Sequence, residues 1–178
     1  MKRLLVALML LSSACALRAQ MLAIKTNALM DAVMIPNLGV EVATGNKTSV
    51  AINGFASWSI YGMKAETYGL VPEFRYWFAG NTFSKIFLGA GVTLAHYNIN
   101  SGGTVYEGYT YGPGINVGYD MWLSRHFSVE FHGGVGLYRY SHSRHADTDI
   151  LPELPAHNAK GWTVLPYQLG ISLIYVIK

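Results

Sequence analysis

Among 178 residues there is one cysteine, Cys15, and it sits in an N-terminal stretch that reads as an export signal. Lys2 and Arg3 form a positive start, Leu4 to Leu11 an apolar middle, and Leu17-Arg18-Ala19 a small-residue end. This places cleavage between Ala19 and Gln20. A mature chain starting at Gln20 has no disulfide, no thiol nucleophile and no cysteine metal site. Cys15 follows Ser12-Ser13-Ala14, but Ser12 stands where a lipoprotein box carries leucine. Cleavage without lipidation is therefore the expected processing.

Charge is scarce as well. Charged residues make up 13% of the chain, with 13 Lys+Arg and 10 Asp+Glu. Lys2, Arg3 and Arg18 leave with the signal and no acidic residue does, so the mature chain is formally neutral. The excess basicity belongs to export, and nothing in it argues for nucleic acid. Long hydrophobic runs are also missing. The apolar stretch at the start is too short to span a bilayer, which takes about 20 residues as a helix, and no later stretch is long enough either. Yet 51% of the residues are hydrophobic, with 12 Tyr and 19 Gly. High hydropathy without a spanning helix leaves one membrane architecture, a closed β-barrel that satisfies its backbone between strands.

Period-two alternation supports that reading. From Leu165 to Ile177, alternate positions are all apolar or aromatic: Leu165, Tyr167, Leu169, Ile171, Leu173, Tyr175 and Ile177. Phe127 to Leu137, Tyr109 to Leu123 and Ile86 to Leu94 repeat the pattern, each with a glycine-rich or polar opposite face. Toward the N-terminus, Tyr68 to Phe78 sets Tyr68, Leu70, Phe74, Tyr76 and Phe78 against Gly69, Glu73 and Arg75. Val50 to Trp58, Leu38 to Val42 and Leu22 to Asp31 complete eight segments, each near the roughly 9–11 residues of a tilted spanning strand. Short turns at 44–47, 79–85 and 124–126 alternate with longer external loops at 59–66, 98–106 and 141–161; the connection at Ile35-Pro36 is tight. Pro72, Pro113 and Pro166 interrupt predicted strands and call for bulges that shift the local phase. A soluble barrel would put the apolar face inside. Against this, Trp58, Tyr68, Tyr109, Tyr111 and Tyr167 gather at one end of the apolar face and Phe78, Phe127 and Tyr175 at the other, as two membrane-interface girdles. The expected fold is an all-β, eight-stranded antiparallel up-and-down transmembrane barrel over residues 20–178, after a signal peptide at 1–19. Both ends are expected on the periplasmic side, with no peptidoglycan-binding domain.

Four stretches carry a resemblance: Lys25-Thr26-Asn27-Ala28-Leu29, Pro36-Asn37-Leu38-Gly39-Val40-Glu41, Pro72-Glu73-Phe74-Arg75-Tyr76-Trp77-Phe78 and Gly170-Ile171-Ser172-Leu173-Ile174-Tyr175. Together they resemble a family of small barrels from Bacteroidota, domain-of-unknown-function 3575. The resemblance covers nearly the whole mature chain. It implies an OmpA-like outer-membrane barrel without an assigned activity, some of whose relatives lie near fimbrial or surface-adhesin genes. The usual terminal aromatic is replaced here by Ile177-Lys178.

The phase of the strands turns Lys25, Glu41, Glu73, Arg75, Asp120, Glu130 and His132 inward, as a lumenal charge network. Charges in a narrow lumen are costly unless paired, so the expectation is a plug of ion pairs and small side chains. A gated ion path through it, a narrow pore, is the alternative. Gly89, Gly91, Gly112 and Gly114 read as room for large lumenal neighbours such as Phe87 and Trp122, or as bends. His126-Phe127-Ser128 resembles the His/Ser arrangement of outer-membrane lipid A deacylases, with Glu130 as a group that would orient the histidine. However, it lies beside a periplasmic turn and points inward, and Val129 stands where Asn usually follows the serine. The 141–161 loop holds His142, His145, His157, Asp147 and Asp149, a set able to bind a divalent metal, but no rigid element spaces them. The same loop is partly apolar at Leu151, Pro152, Leu154 and Pro155, which suits a protein contact surface. The reading is a monomeric, non-enzymatic barrel with no cofactor, structural or surface-interacting. It would meet outer-membrane lipids and lipopolysaccharide, the barrel-assembly machinery, and a surface or fimbrial protein. We expect mass spectrometry of the exported protein to find Gln20 as its first residue; a chain beginning at a lipid-modified Cys15 would contradict this.

Overall fold

In a computed structural model of the protein, the described residues are 21–60, 63–101, 104–146 and 157–177. The expected signal segment and the middle of the expected 141–161 loop, with Asp147, Asp149, Leu151, Pro152, Leu154 and Pro155, lie outside them. The strands are β1 (Leu22–Asn27), β2 (Asn37–Ala43), β3 (Thr48–Ile60), β4 (Met63–Trp77), β5 (Lys85–Ser101), β6 (Thr104–Trp122), β7 (Phe127–Ala146) and β8 (His157–Ile177). They form one closed antiparallel barrel in chain order. A short helix, α1 (Ala28–Ala32), joins β1 to β2. Among the described residues, no helix is long and apolar enough to cross a membrane.

Closure is made by β1, which pairs with β2 on one side and β8 on the other. Crossing the ladder from Leu22 leads through Val42, Val50, Phe74, Ala90, Ile115 and Val135 to Pro166, whereas the partner of Leu22 on β8 is Ile177. That eleven-residue offset, from 166 to 177, is the stagger of the barrel, and it obliges the strands to tilt, typically by about 35–45°. Eight strands at such a tilt leave an interior just wide enough for side chains to fill.

The two faces separate as the alternation predicts. Leu38, Ile52, Leu70, Ile115, Val135 and Leu169 stand exposed on the outer wall, while Glu41, Glu73, Arg75, Phe87, Asn116 and Glu130 are fully buried inside. Pro72 pairs with Ile52 and Pro113 with Val92 without shifting the register; on the other side of each proline the ladder is interrupted and resumes in phase, at Glu73–Gly91 and at Gly114–Gly136. Pro166 behaves differently. Gly133 pairs with Leu169 but Val135 with Pro166, so β8 uses three residues where β7 uses two. Proline has no N–H for the ladder, and the bulge reverses the phase of everything on its far side. Tyr167, expected on the outer girdle, is therefore buried in the lumen, and Trp162 stands outside instead. A second bulge lies between Ser57 and Ser59.

Two further expectations are corrected. The first strand ends at Asn27, not near Asp31. The Asn27 side chain accepts hydrogen bonds from the Leu29 and Met30 amides at 3.0 and 3.3 Å, capping α1. Asn37 Oδ1 takes the Asn27 N–H at 2.7 Å, and Asn37 Nδ2 donates to Asp31 at 2.9 Å, so side chains replace the next ladder step. The expected long loops at 59–66, 98–106 and 141–161 are in large part strand. β5 to β8 run 17, 19, 20 and 21 residues, well past a membrane-spanning length, whereas β1 and β2 have 6 and 7. Glu107 pairs with Ser143 and Gly108 with His142 in unbroken register. These tips mix polar with aromatic and aliphatic side chains on both faces, as at His96, Tyr97, Asn98 and Ile99, which blurs the alternation that marks a strand. The barrel wall is thus tall on the β5–β8 side.

Inward glycines match the bulky groups opposite them. A Cβ at Gly114 would lie 2.1 Å from the Tyr167 ring, and one at Gly91 2.4 Å from the Tyr167 hydroxyl, so these two glycines cradle the tyrosine that the bulge turns inward. At Gly133 an added Cβ meets only Leu169, at an ordinary 3.7 Å. Gly114→Val is therefore expected to lose the compact, heat-modifiable barrel band on refolding, whereas Gly133→Ala should keep it. Equal refolding of the two would show that Tyr167 is not held between those glycines.

Candidate functional site

The centre of the lumen is built around Arg75 on β4. Its Nη1 donates to Glu41 at 3.1 Å and to Glu130 at 2.6 Å, and its Nε donates to Glu73. The guanidinium carbon sits 4.2 Å from the centre of the Phe87 ring. Lys25 donates to Glu41 at 2.9 Å. His132 Nδ1 lies 2.8 Å from Glu130, and Asn27 Nδ2 3.4 Å from His132 Nε2. All seven sequence-selected residues point into the barrel, and six of them, from Lys25 to His132, form one connected cluster. Asp120 stands apart: it accepts from Ser128 at 2.9 Å and has no cation within ion-pair distance among the described residues.

Two cations, Lys25 and Arg75, thus face three carboxylates, Glu41, Glu73 and Glu130, and neutral hydrogen-bond donors take up part of the remaining charge. Ser49 donates to Glu41 at 2.5 Å and in turn accepts from Trp77 Nε1 at 2.8 Å, while Asn116 approaches Glu73 at 3.4 Å. Burying each ion costs several kcal/mol, and attraction offsets this only with close geometry and satisfied lone pairs. The cluster, in which Arg75 Nη2 has no partner among the described residues, therefore adds little net stability, whereas removing its centre leaves like charges facing one another in the interior.

Large side chains close the cluster in on both sides. On the short-turn side Trp77, Phe83 and Phe87 pack with Ala23, Ala43, Ile174 and Val176, and Trp122 packs against them. Phe83 comes from the β4–β5 turn. It takes a positive φ of 57° and is fully buried, and its carbonyl accepts from Trp122 Nε1. On the other side Val71, Tyr138 and Tyr167 form a second group, joined by Phe55. Beside this group and the ion cluster is a cavity of about 210 Å³ lined by Lys25, Asn53, Val71, His132, Tyr167 and Gln168 among others. The inward aromatics Trp77, Phe83, Tyr138 and Tyr167 escaped the sequence reading. Trp77 was detectable: in Tyr76-Trp77-Phe78 the middle ring must point opposite to its neighbours. Phe83 lay in a turn, and Tyr167 was misplaced by the bulge. The glycines make room chiefly for Tyr167 and Glu73; of the two neighbours expected, Phe87 is accommodated at Gly118.

The structure does not join His126 and Ser128. His126 is exposed and stacks on Tyr175 at 5.9 Å, while Ser128 is buried on Asp120, and Glu130 is engaged by Arg75 and His132. His142 lies on β7 rather than in a loop. It stacks on Tyr140 at 5.4 Å, meets Tyr106 at 5.9 Å and is 3.2 Å from the Tyr97 hydroxyl. These rings line the inner face of the tall wall. The side chains of His145 and His157 lie outside the described residues.

A family model described as "Protein of unknown function (DUF3575)" matches residues 4–177. No curated protein matches the chain. Among solved structures, the chain is similar to the crystal structure of neisserial surface protein A (NspA), with 13% identity and a TM-score of 0.43, over 87% of this chain and 91% of that one.

Arg75→Met is expected to destabilise the barrel by about 3–5 kcal/mol in denaturant unfolding from lipid vesicles, because Glu41, Glu73 and Glu130 lose their common counter-ion. Lys25→Met should cost clearly less, since Glu41 keeps Arg75 and Ser49. Equal midpoints for Arg75→Met and the parent would mean the cluster does not hold the lumen together.

Proposed function

The chain belongs to the DUF3575 family, proteins of unknown function, and from that premise we propose that it is a non-enzymatic barrel of the bacterial outer membrane with a structural or surface-contact role. The observation that carries this reading is the inverted distribution of polarity. All eight strands expose apolar side chains around a lumen that holds Lys25, Glu41, Glu73, Arg75, Asp120 and Glu130 almost without exposure. In water this arrangement would leave a continuous apolar wall unprotected, whereas in a bilayer it is the stable order. Trp58, Tyr68, Tyr109, Tyr111 and Trp162 stand exposed toward the tall end, and Phe78, Phe127 and Tyr175 toward the short-turn end, as interfacial girdles do.

The surface role is supported by the tall wall. β5 to β8 carry Tyr97, Tyr106, Tyr140 and His142 beyond the filled lumen, on rigid paired strands. Such a wall offers aromatic and imidazole groups to a partner at the cell surface. The packed lumen favours this reading over a narrow pore, because the groups at its centre are fully buried and bonded to one another.

The test is gel mobility of cold against boiled protein from outer-membrane fractions, combined with protease treatment of intact cells. We expect heat-modifiable migration and cleavage between β7 and β8. Release as a soluble species with unshifted migration would overturn the membrane reading.

A further inference from the structure

The outer wall is not uniform. On β3, outward Gly54 and Ala56 carry almost no side chain, while Leu38, Tyr68, Leu94 and Tyr111 rise around them from β2, β4, β5 and β6. The result is an open groove of about 1080 Å³, at the upper end of the size of ligand sites. One edge is a fixed ledge of rings. His96 stacks on Tyr68 at 5.0 Å and meets Tyr109 edge-on at 4.7 Å, with its Nε2 3.6 Å from the Glu107 carboxylate.

Next to the groove are two cations. Arg139 on β7 is the register partner of Tyr111, and its guanidinium lies 5.9 Å from the Trp162 ring. Lys160 on β8 pairs with Ser141, which in turn pairs with Tyr109. Both point outward within the aromatic girdle, and neither has a carboxylate partner among the described residues. A cation on the lipid face is costly at mid-bilayer and tolerated only near the interface, at the level of headgroups.

We propose that this groove is a specific lipid site. It takes an acyl chain of a phosphate-bearing lipid of the adjacent leaflet, with Arg139 and Lys160 meeting the phosphate. The inference rests on the membrane reading above. The groove opens on hydrocarbon, so what fills it there is an acyl chain, and an ordered chain regains the dispersion contacts that Gly54 and Ala56 leave unmade. The unpaired cations select the headgroup, since guanidinium and ammonium groups both bind phosphate oxygens.

The experiment is native mass spectrometry of the purified barrel from mixed micelles holding equal phosphatidic acid and diacylglycerol of identical chains. Retention of one phosphatidic acid per barrel is expected. Filling the floor with Gly54→Val and Ala56→Leu should lower retention by about ten-fold, that is about 1.4 kcal/mol. At Gly54 an added Cβ comes nearest the movable Leu70 Cδ2, at 3.3 Å, and otherwise makes ordinary contacts with the Leu38 and Gly69 carbonyls at 3.8 and 3.9 Å. The same filling at outward Ala90, away from the groove, should change nothing. Arg139→Gln with Lys160→Gln, which leaves the groove untouched, should equalise the two lipids and keeps the proposal testable if the filled variant does not fold. Undiminished retention by a folded filled variant, or a preference for phosphatidic acid that survives the loss of both cations, overturns the proposal. A groove occupied by a second barrel, seen as a dimer without lipid, also overturns it. Heat-modifiable, membrane-inserted protein accompanies these failures if only the groove is wrong; a soluble, unshifted protein signals failure of the membrane reading itself.

Discussion

The pairing of β1 with β8 is the constraint on which the rest depends. A sheet with this exterior has no tolerable edge, because an unpaired row of N–H and C=O groups would have no partner in hydrocarbon and would recruit another chain in water. Closing the ring with eight strands and the observed stagger sets both the tilt and the width of the interior. Once the width is set, the lumen must be filled, and the filling must be compatible with the small inward residues that the wall supplies. Phe87 against Gly118 and Tyr167 against Gly91 and Gly114 are consequences of this closure.

The filling is layered. Aromatic groups close the short-turn side, with Phe83 pressed in from a turn that takes a positive φ to deliver it. Tyr138 and Tyr167 close the other side. The ion cluster lies between them, removed from water, and its energetics follow from that position. Arg75 is suited to the centre because its planar fork addresses several carboxylates at once, which an ammonium group cannot do in a fixed geometry. Such a cluster serves specificity more than stability. It couples β1, β2, β4 and β7 through directional bonds and disfavours a slipped register that would strand a charge.

On the proposed reading, function divides along the height of the barrel. The middle is filled by the ion cluster and the aromatic groups on either side of it. The part that varies in height, β5 to β8, reaches beyond the girdles and presents Tyr97, Tyr106, Tyr140 and His142 on its inner face. The outer wall between Leu38 and Tyr111 is shaped rather than merely apolar. The proposed contact with a partner and the proposed contact with lipid thus fall to different surfaces of the barrel.

The period-two pattern by itself determined the fold class, the number of strands and the inward set of Lys25, Glu41, Glu73, Arg75, Asp120, Glu130 and His132, because a pleated strand alternates its side chains regardless of context. It also located most girdle residues. What only the tertiary structure decided is which inward groups meet and where the alternation breaks. The partners of Arg75 come from β2, β4 and β7, and their convergence depends on tilt and stagger, which no local pattern encodes. The place of Tyr167 depended on one extra residue of β8 at Pro166, and the end of β1 on the side chains of Asn27 and Asn37. The tall strand tips were hidden because both their faces mix polar with aromatic and aliphatic side chains, and alternation marks a strand only where the two faces differ.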